Sequence, residues 1–301
     1  MRNAIFLMAS GTFLTLLIGC GGEKPPPVSN PMAPKAAVGP RSYPSLPGAV
    51  SEPPAWIGTN TPFDVEEFFE SPASQRNAAP LYLDALFEFS SDVGICFGPL
   101  EQGPQGETKR REEAVRQRDQ EHVSIEEAWQ RDASSVNDVK VDAWLGQYET
   151  GFDKLAAAQK RPECVFETGV GIAALFPHAH AARQVARVIK WRTRRDLALG
   201  DVDRPIRDVE TVLRLSRDIQ PRGGTFCQLV SVAVDTICSQ DIVPQILEAD
   251  GIDTEHCDRL LAAVGQHKVG STQRFTEAVR AEYITAQKAL YDLQYRTGDF
   301  A

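Results

Sequence analysis

Apolar residues recur at three- and four-residue spacings along almost the whole chain after Pro62, and this period constrains the fold more than any other feature. No strand–turn–helix unit alternates along the sequence, and no turn of the Asn-Gly type separates two β-branched runs. The body from 62 to 301 is therefore predicted to be one all-α domain. Two arrangements stay open, an array of stacked helical hairpins and an irregular helical bundle.

The clearest hairpin is predicted between Arg183 and Gln220. Two amphipathic helices are separated there by Leu199-Gly200-Asp201 and followed by Pro221. Its length and its small-residue turn resemble one tetratricopeptide repeat, a helical hairpin that stacks with its neighbours to present a concave face to protein partners. One clear unit is present, whereas that architecture needs about three.

Three further helices are predicted towards the end of the chain. The stretch Phe226–Leu247 is apolar on nearly every side, so we expect it to be central in the fold. Thr254–His267 follows, and Ser271–Tyr295 is the last helix. Its apolar positions fall on one stripe: Phe275, Val279, Tyr283, Ala286, Leu290 and Leu293.

The segment 20–61 has a different composition, because it holds ten prolines, from Pro25 to Pro54, with Gly, Ser and Ala among them, and Pro62 follows directly. Such a segment cannot build a core and favours extended conformations, so a disordered tether is predicted. Forty residues at up to ~3.1 Å each reach at most about 120 Å. A spacer across the envelope and an unstructured leader remnant both stay open.

Residues 1–19 have the features of a secretory signal peptide. Arg2 gives a positive start, and the fourteen residues from Ala4 to Leu17 carry no charge. A membrane-spanning helix needs about twenty such residues.

The string Leu17-Ile18-Gly19-Cys20 resembles the lipobox of bacterial lipoproteins. The resemblance implies cleavage after Gly19 and acylation of Cys20, which becomes the lipidated N-terminus and anchors the chain to the membrane. In that family, Asp directly after the lipidated cysteine is a retention signal. This chain has Gly21 at that position, and the resemblance therefore implies an outer-membrane or periplasm-facing location in a Gram-negative envelope. The start of the body, Asn77-Ala78-Ala79-Pro80-Leu81-Tyr82, is similar to uncharacterised lipoproteins of planctomycete-like bacteria, which carry no known activity.

The charge balance disfavours nucleic acid as a partner, because 41 acidic residues outnumber 32 basic ones and the net charge is −9. Apart from Cys20, five cysteines remain, an odd number with no C-x-x-C pair, so neither a redox motif nor a zinc ribbon is indicated. Isolated buried thiols are the simpler interpretation. They are Cys96, Cys164, Cys227, Cys238 and Cys257.

Three strings in the sequence have residue types that can carry chemistry. Gly169–Ala174 matches a relaxed dinucleotide fingerprint, but the acidic residue expected about twenty positions on is replaced by basic residues, so no cofactor is assigned. His178 and His180 are the only close histidine pair, and on a helix they diverge by about 200°, so they are weak metal candidates and no metal is assigned. A compact basic patch is a possible anion or partner site, comprising Lys190, Arg192, Arg194 and Arg195.

Taken together, the sequence predicts a lipid-anchored envelope protein that is a non-enzymatic helical scaffold for a protein partner. No catalytic residue is assigned. The alternative is an enzyme or small-ligand carrier with a cleft near residues 169–195, where glycines, histidines and arginines concentrate. A purely structural stalk is a third hypothesis.

Overall fold

The computed structural model describes residue 57 and residues 61–90, 105–131, 138–167 and 176–295. Within these ranges the chain forms helices and no strand, which confirms the all-α prediction. The predicted signal peptide 1–19, nearly all of the tether 20–61 and the segment Gly169–Ala174 lie outside the described residues.

The helices in chain order are α1 (Val65–Phe69), α2 (Ala79–Leu86), α3 (Gln105–Arg131), α4 (Asp138–Gly146), α5 (Glu149–Ala158), α6 (Pro177–Ala198), α7 (Asp203–Asp218), α8 (Gly224–Leu247), α9 (Thr254–Lys268) and α10 (Ser271–Tyr295). Helix α8 widens to a π-helix over Ile237–Ile242. Pro244 explains the change, because it has no N–H to donate and its ring crowds the carbonyl one turn earlier.

Helix α6 lies at the centre of the bundle. It packs against α2, α4, α7 and α8, and its buried residues occur on every side of the helix. The prediction that Phe226–Leu247 is the central helix is wrong, since α8 buries one face and exposes the opposite one. The apolar pattern of the sequence does not identify α6 as the central helix. Polar side chains such as Arg192 and Asp196 are buried in it, and they make the helix less apolar than its burial would suggest.

The predicted hairpin is present as α6 and α7. The chain turns at Gly200, whose φ of +82° is a conformation that glycine adopts more readily than other residues. Helix α7 buries an apolar face against α6, and α9 packs on α7 from another side. Helix α8 then covers both α6 and α7. These contacts gather the helices into an irregular bundle around α6.

A second, smaller apolar cluster joins α1 to α10. Phe68 and Phe69 pack there with Ala281 and Ile284. Asp64 caps α1 by accepting a hydrogen bond from the N–H of Glu67 at 3.0 Å. Helix α10 is therefore held on one side by α1 and on another by α8.

Candidate functional site

His178, one of the two candidate metal ligands, is a buried residue of the core. Its ring stacks on Phe166, with centroids 4.1 Å apart, and its Nε2 lies 3.7 Å from the Sγ of Cys227. Burial lowers the pKa of His178 to about 3 and raises the pKa of the Cys227 thiol to about 12. A neutral imidazole beside a neutral thiol is the reverse of the thiolate–imidazolium pair that cysteine nucleophiles require.

His180 is exposed, whereas His178 is buried two residues earlier on the same helix. The structure does not bring the two rings together, because residues two apart on a helix diverge by about 200°. Among the described residues no group of three His, Cys, Asp or Glu side chains is placed to hold a metal ion. Residues 169–175, the first part of the region 169–195, lie outside those residues.

The four residues of the predicted basic patch point to different neighbours. Arg192 turns inwards and is buried against Asp208 of α7. Arg195 turns towards α4, where it bonds to Asp142 at 2.6 Å and to Asp138 at 3.1 Å. These two arginines therefore neutralise carboxylates within the chain.

The other two basic residues of the patch face α3. The guanidinium carbon of Arg194 lies over the ring of Trp129, 3.1 Å from its centroid. Lys190 lies 3.6 Å from a carboxylate oxygen of Glu126 and 3.5 Å from one of Asp241. The four side chains thus do not converge on one point where an anion could bind.

A polar contact between α3 and α6 was not foreseen. Glu126 accepts a hydrogen bond from the indole N–H of Trp191 at 2.9 Å, and it lies 3.6 Å from the Nε2 of the buried His122. The interaction with His122, followed by the Trp191 hydrogen bond and the charge of Lys190, lowers the pKa of Glu126 to about 2. An ionised carboxylate held in this way joins the two helices. The i,i+4 spacing of His122 and Glu126 was visible in the sequence, but their partner on α6 was not.

An exposed apolar surface lies on the outer face of α8. Phe226, Leu229 and Val232 are each exposed over half or more of their area. Phe226 has one aromatic neighbour, Phe176, at 5.6 Å between ring centroids. The exposed positions on the outer face of this helix all carry uncharged side chains: Thr225, Phe226, Leu229, Val232, Thr236, Gln240 and Leu247.

Helix α10 carries a second exposed apolar row. Its buried row consists of Arg274 and the small or branched residues Ala278, Ala281 and Ile284. Larger apolar side chains face outwards on the predicted stripe: Phe275, Val279, Leu290 and Leu293. The stripe is therefore present as predicted, but α10 does not bury these four residues against the bundle.

The two exposed rows border the same seam between α8 and α10. Glu282 lies on the exposed side of α10, and its Oε1 accepts a hydrogen bond from the backbone N–H of Thr225 at 2.6 Å. Further along, the amide of Gln228 donates to the backbone carbonyl of Arg274 at 3.5 Å. These contacts set the two helices antiparallel, so the exposed row of α8 lies beside Phe275 and Val279, and Leu290 and Leu293 continue the row of α10 beyond the N-terminal end of α8. We call the surface formed by Phe226, Leu229, Val232, Phe275, Val279, Leu290 and Leu293 the α8/α10 apolar face.

Charge is nearly absent from the α8/α10 apolar face. Among the exposed positions of α10 that the structure describes, Glu282 alone is charged, and the N-terminal N–H of α8 engages it. Patches of this kind on a soluble protein commonly mark a docking site. The sequence did not predict this surface, since an apolar stripe predicts burial without showing which element covers it.

Helix α8 is long and apolar enough to span a membrane by length and composition, with a mean hydropathy of 1.3 in its most apolar window. It also packs on α6, α7 and α10, and core helices of soluble proteins have the same composition. The composition of α8 therefore does not distinguish the two environments.

Comparison with protein-family models, curated proteins and solved structures gives no match to this chain. The functional argument therefore depends on the chain's own residues. Of the surfaces described above, the α8/α10 apolar face is the one whose large apolar side chains are exposed and not packed against other helices of the bundle.

Proposed function

We propose that this protein is lipid-anchored through Cys20 in the cell envelope and that it is a non-enzymatic interaction scaffold. The α8/α10 apolar face is the docking surface of this scaffold. The observation that carries the proposal is the exposure of seven large apolar side chains on an almost uncharged face of a helical body.

The N-terminal part of the proposal is supported by the lipobox-like string at Leu17–Cys20 and by the proline-rich composition that follows it. A tether of this length lets a membrane-anchored body meet partners at a range of distances from the bilayer. The α-helical body then supplies a rigid surface for docking, while the lipid supplies retention at the membrane.

Mass spectrometry of the membrane-fraction protein tests the anchor. For the wild type we expect a mature N-terminus at Cys20 that carries acyl chains. We expect Cys20→Ala to abolish the acylation. The variant is then either an unprocessed precursor or a processed body that is released from the membrane. A matched control is Cys257→Ala, which replaces a partly exposed cysteine of α9 and should leave acylation intact. An unmodified Cys20 in the wild-type chain would remove the lipid anchor from the proposal.

A further inference from the structure

We infer that the α8/α10 apolar face binds the same face of a second copy of this chain, which gives a dimer with two-fold symmetry. The inference rests on the proposed function, because it names the partner of the docking surface proposed there. The low charge of this face, its area and the positions of the basic residues of α8 and α10 support the inference.

The charge distribution favours a self-contact. In a two-fold symmetric interface the same patch meets itself, so any charge on the patch is brought close to an identical charge. The chain has nine more acidic than basic residues, so two copies carry net charge of the same sign. The exposed positions on the outer face of α8 are uncharged, and Glu282 of α10 is already bonded to Thr225. The α8/α10 apolar face thus lets two copies meet without bringing unpaired like charges together.

The area of the face is close to what a dimer needs. The five side chains beside the seam, each at least half exposed, offer about 100 Å² apiece, and Leu290 and Leu293 extend the row along α10 to roughly 700 Å² in all, against about 800 Å² per partner in a standard interface. Polar residues at the rim, such as Thr225 and Thr236, would add to that area. The centre of the face is apolar and free of charge, as the centres of stable interfaces are.

A lipid surface fits the face less well than a second copy does. Helices that lie on membranes carry Lys and Arg beside the apolar row, where they meet anionic head groups. The basic residues of α10 are engaged elsewhere. Arg274 is buried and donates to the backbone carbonyl of His267, Arg280 lies 5.3 Å from the ring centroid of Phe63, and Lys288 lies 5.9 Å from that of Tyr291. Helix α8 contributes no basic residue.

The first test is the mass of the full-length protein, purified from membranes in a mild non-ionic detergent and measured by light scattering with the detergent contribution subtracted. We expect a particle with two chains. Leu229→Glu and Phe275→Glu each place two carboxylates in the symmetric contact and should weaken dimerisation at least about tenfold. Leu261→Glu, at an equally exposed leucine of α9 outside the face, should leave the dimer intact. Circular dichroism checks that all three variants are folded.

A wild-type chain that stays monomeric at micromolar concentration would overturn the inference, and so would Leu261→Glu if it dissociated the dimer as strongly as Leu229→Glu. A second measurement separates this failure from failure of the proposed function. A photo-reactive phenylalanine analogue is placed at position 229 and activated in native membranes, and the masses of the cross-linked products are measured. A chain-to-chain product supports the inference. A product with a different protein overturns the dimer inference but keeps the proposed docking function. A lipid product alone, or no product, overturns both the dimer inference and the docking function.

Discussion

Arg192 of α6 donates two parallel hydrogen bonds to the carboxylate of Asp208 on α7, at 2.8 and 2.5 Å. Both side chains are more than nine-tenths buried, and the guanidinium also lies over the ring of Phe152. Asp208→Ala leaves this guanidinium in the core without its partner. We therefore expect the free energy of unfolding to fall by about 3–5 kcal/mol, measured by urea denaturation followed by circular dichroism.

Asp138→Ala is the matched control for this ion pair. Asp138 also binds an arginine of α6, Arg195, at 3.1 Å, but its side chain is 71% exposed. Solvent screens such a pair, so the expected loss is below about 1 kcal/mol. Equal losses in the two variants would contradict the assignment of Arg192 and Asp208 as a buried pair that holds α6 to α7.

Asp196 predicts a dependence of stability on pH. Burial raises its pKa to about 6, and the nearby carboxylate of Asp208 adds to the shift, while Arg204 and Arg192 oppose it. The Nε of Arg204 lies 3.7 Å from the carboxylate. The folded state therefore binds the proton more tightly than the unfolded state does. The stability that Asp196 contributes is complete below about pH 4, where both states are protonated, and it is lost as the pH rises through about 6.

The corresponding measurement is the free energy of unfolding at several pH values between 4 and 7, for the wild type and for Asp196→Asn. Other carboxylates titrate in this window, so the quantity of interest is the difference between the two proteins. We expect the wild type to lose stability relative to Asp196→Asn as the pH rises from about 4 to about 6. A difference that is constant across the window would show that the carboxylate titrates normally.

Local signals in the sequence predicted the helices better than their positions in the bundle. The turn at Gly200 and the apolar spacing on either side were enough to predict the hairpin of α6 and α7, although α6 begins at Pro177, six residues before the predicted start. The central helix could not be predicted by apolarity, because the polar residues of α6 find partners that are distant in sequence. Arg192 and Asp208, for example, are sixteen residues apart on different helices.

The α8/α10 apolar face shows a second limit of prediction from the sequence, which concerns the face of a helix that is covered. The stripe on α10 was predicted, and so was the apolar character of α8, from which a central position was inferred. Small residues such as Ala278 let α10 pack closely on its other face, and the large apolar residues stay outside. Which face of an amphipathic or wholly apolar helix is covered depends on contacts with distant elements, and a periodicity in one segment does not contain that information.

The cysteines predict a pattern of chemical reactivity. Cys227 and Cys238 are buried on α8, and burial raises the pKa of both thiols, in the case of Cys227 to about 12. Cys257 on α9 is partly exposed. In the native full-length chain at pH 8, iodoacetamide should therefore alkylate Cys257 at least about tenfold faster than the two thiols of α8, since only an accessible thiolate reacts.

Peptide mass spectrometry after timed alkylation gives the rate at each cysteine. In urea the difference should disappear, because the unfolded chain exposes all thiols equally. If Cys227 reacted in the native protein as fast as Cys257, the packing of Cys227 against His178 would have to open readily, and the neutral buried pair described above would be wrong.

Two glycines in helices should respond to alanine in opposite directions. A Cβ at Gly151 of α5 would lie 2.6 Å from Cε2 of Phe89 and 2.9 Å from the Cβ of Glu88, so α5 and the chain after α2 could not keep their spacing. We expect Gly151→Ala to lower the free energy of unfolding by about 1–3 kcal/mol. Gly265 of α9 is exposed, and a Cβ there meets nothing within 4 Å. Alanine reduces the freedom of the unfolded chain at that position, so Gly265→Ala should raise stability by about 0.5–1 kcal/mol. Urea denaturation of both variants decides the matter, and a loss of stability in Gly265→Ala equal to that in Gly151→Ala would contradict the close approach of Phe89 to α5.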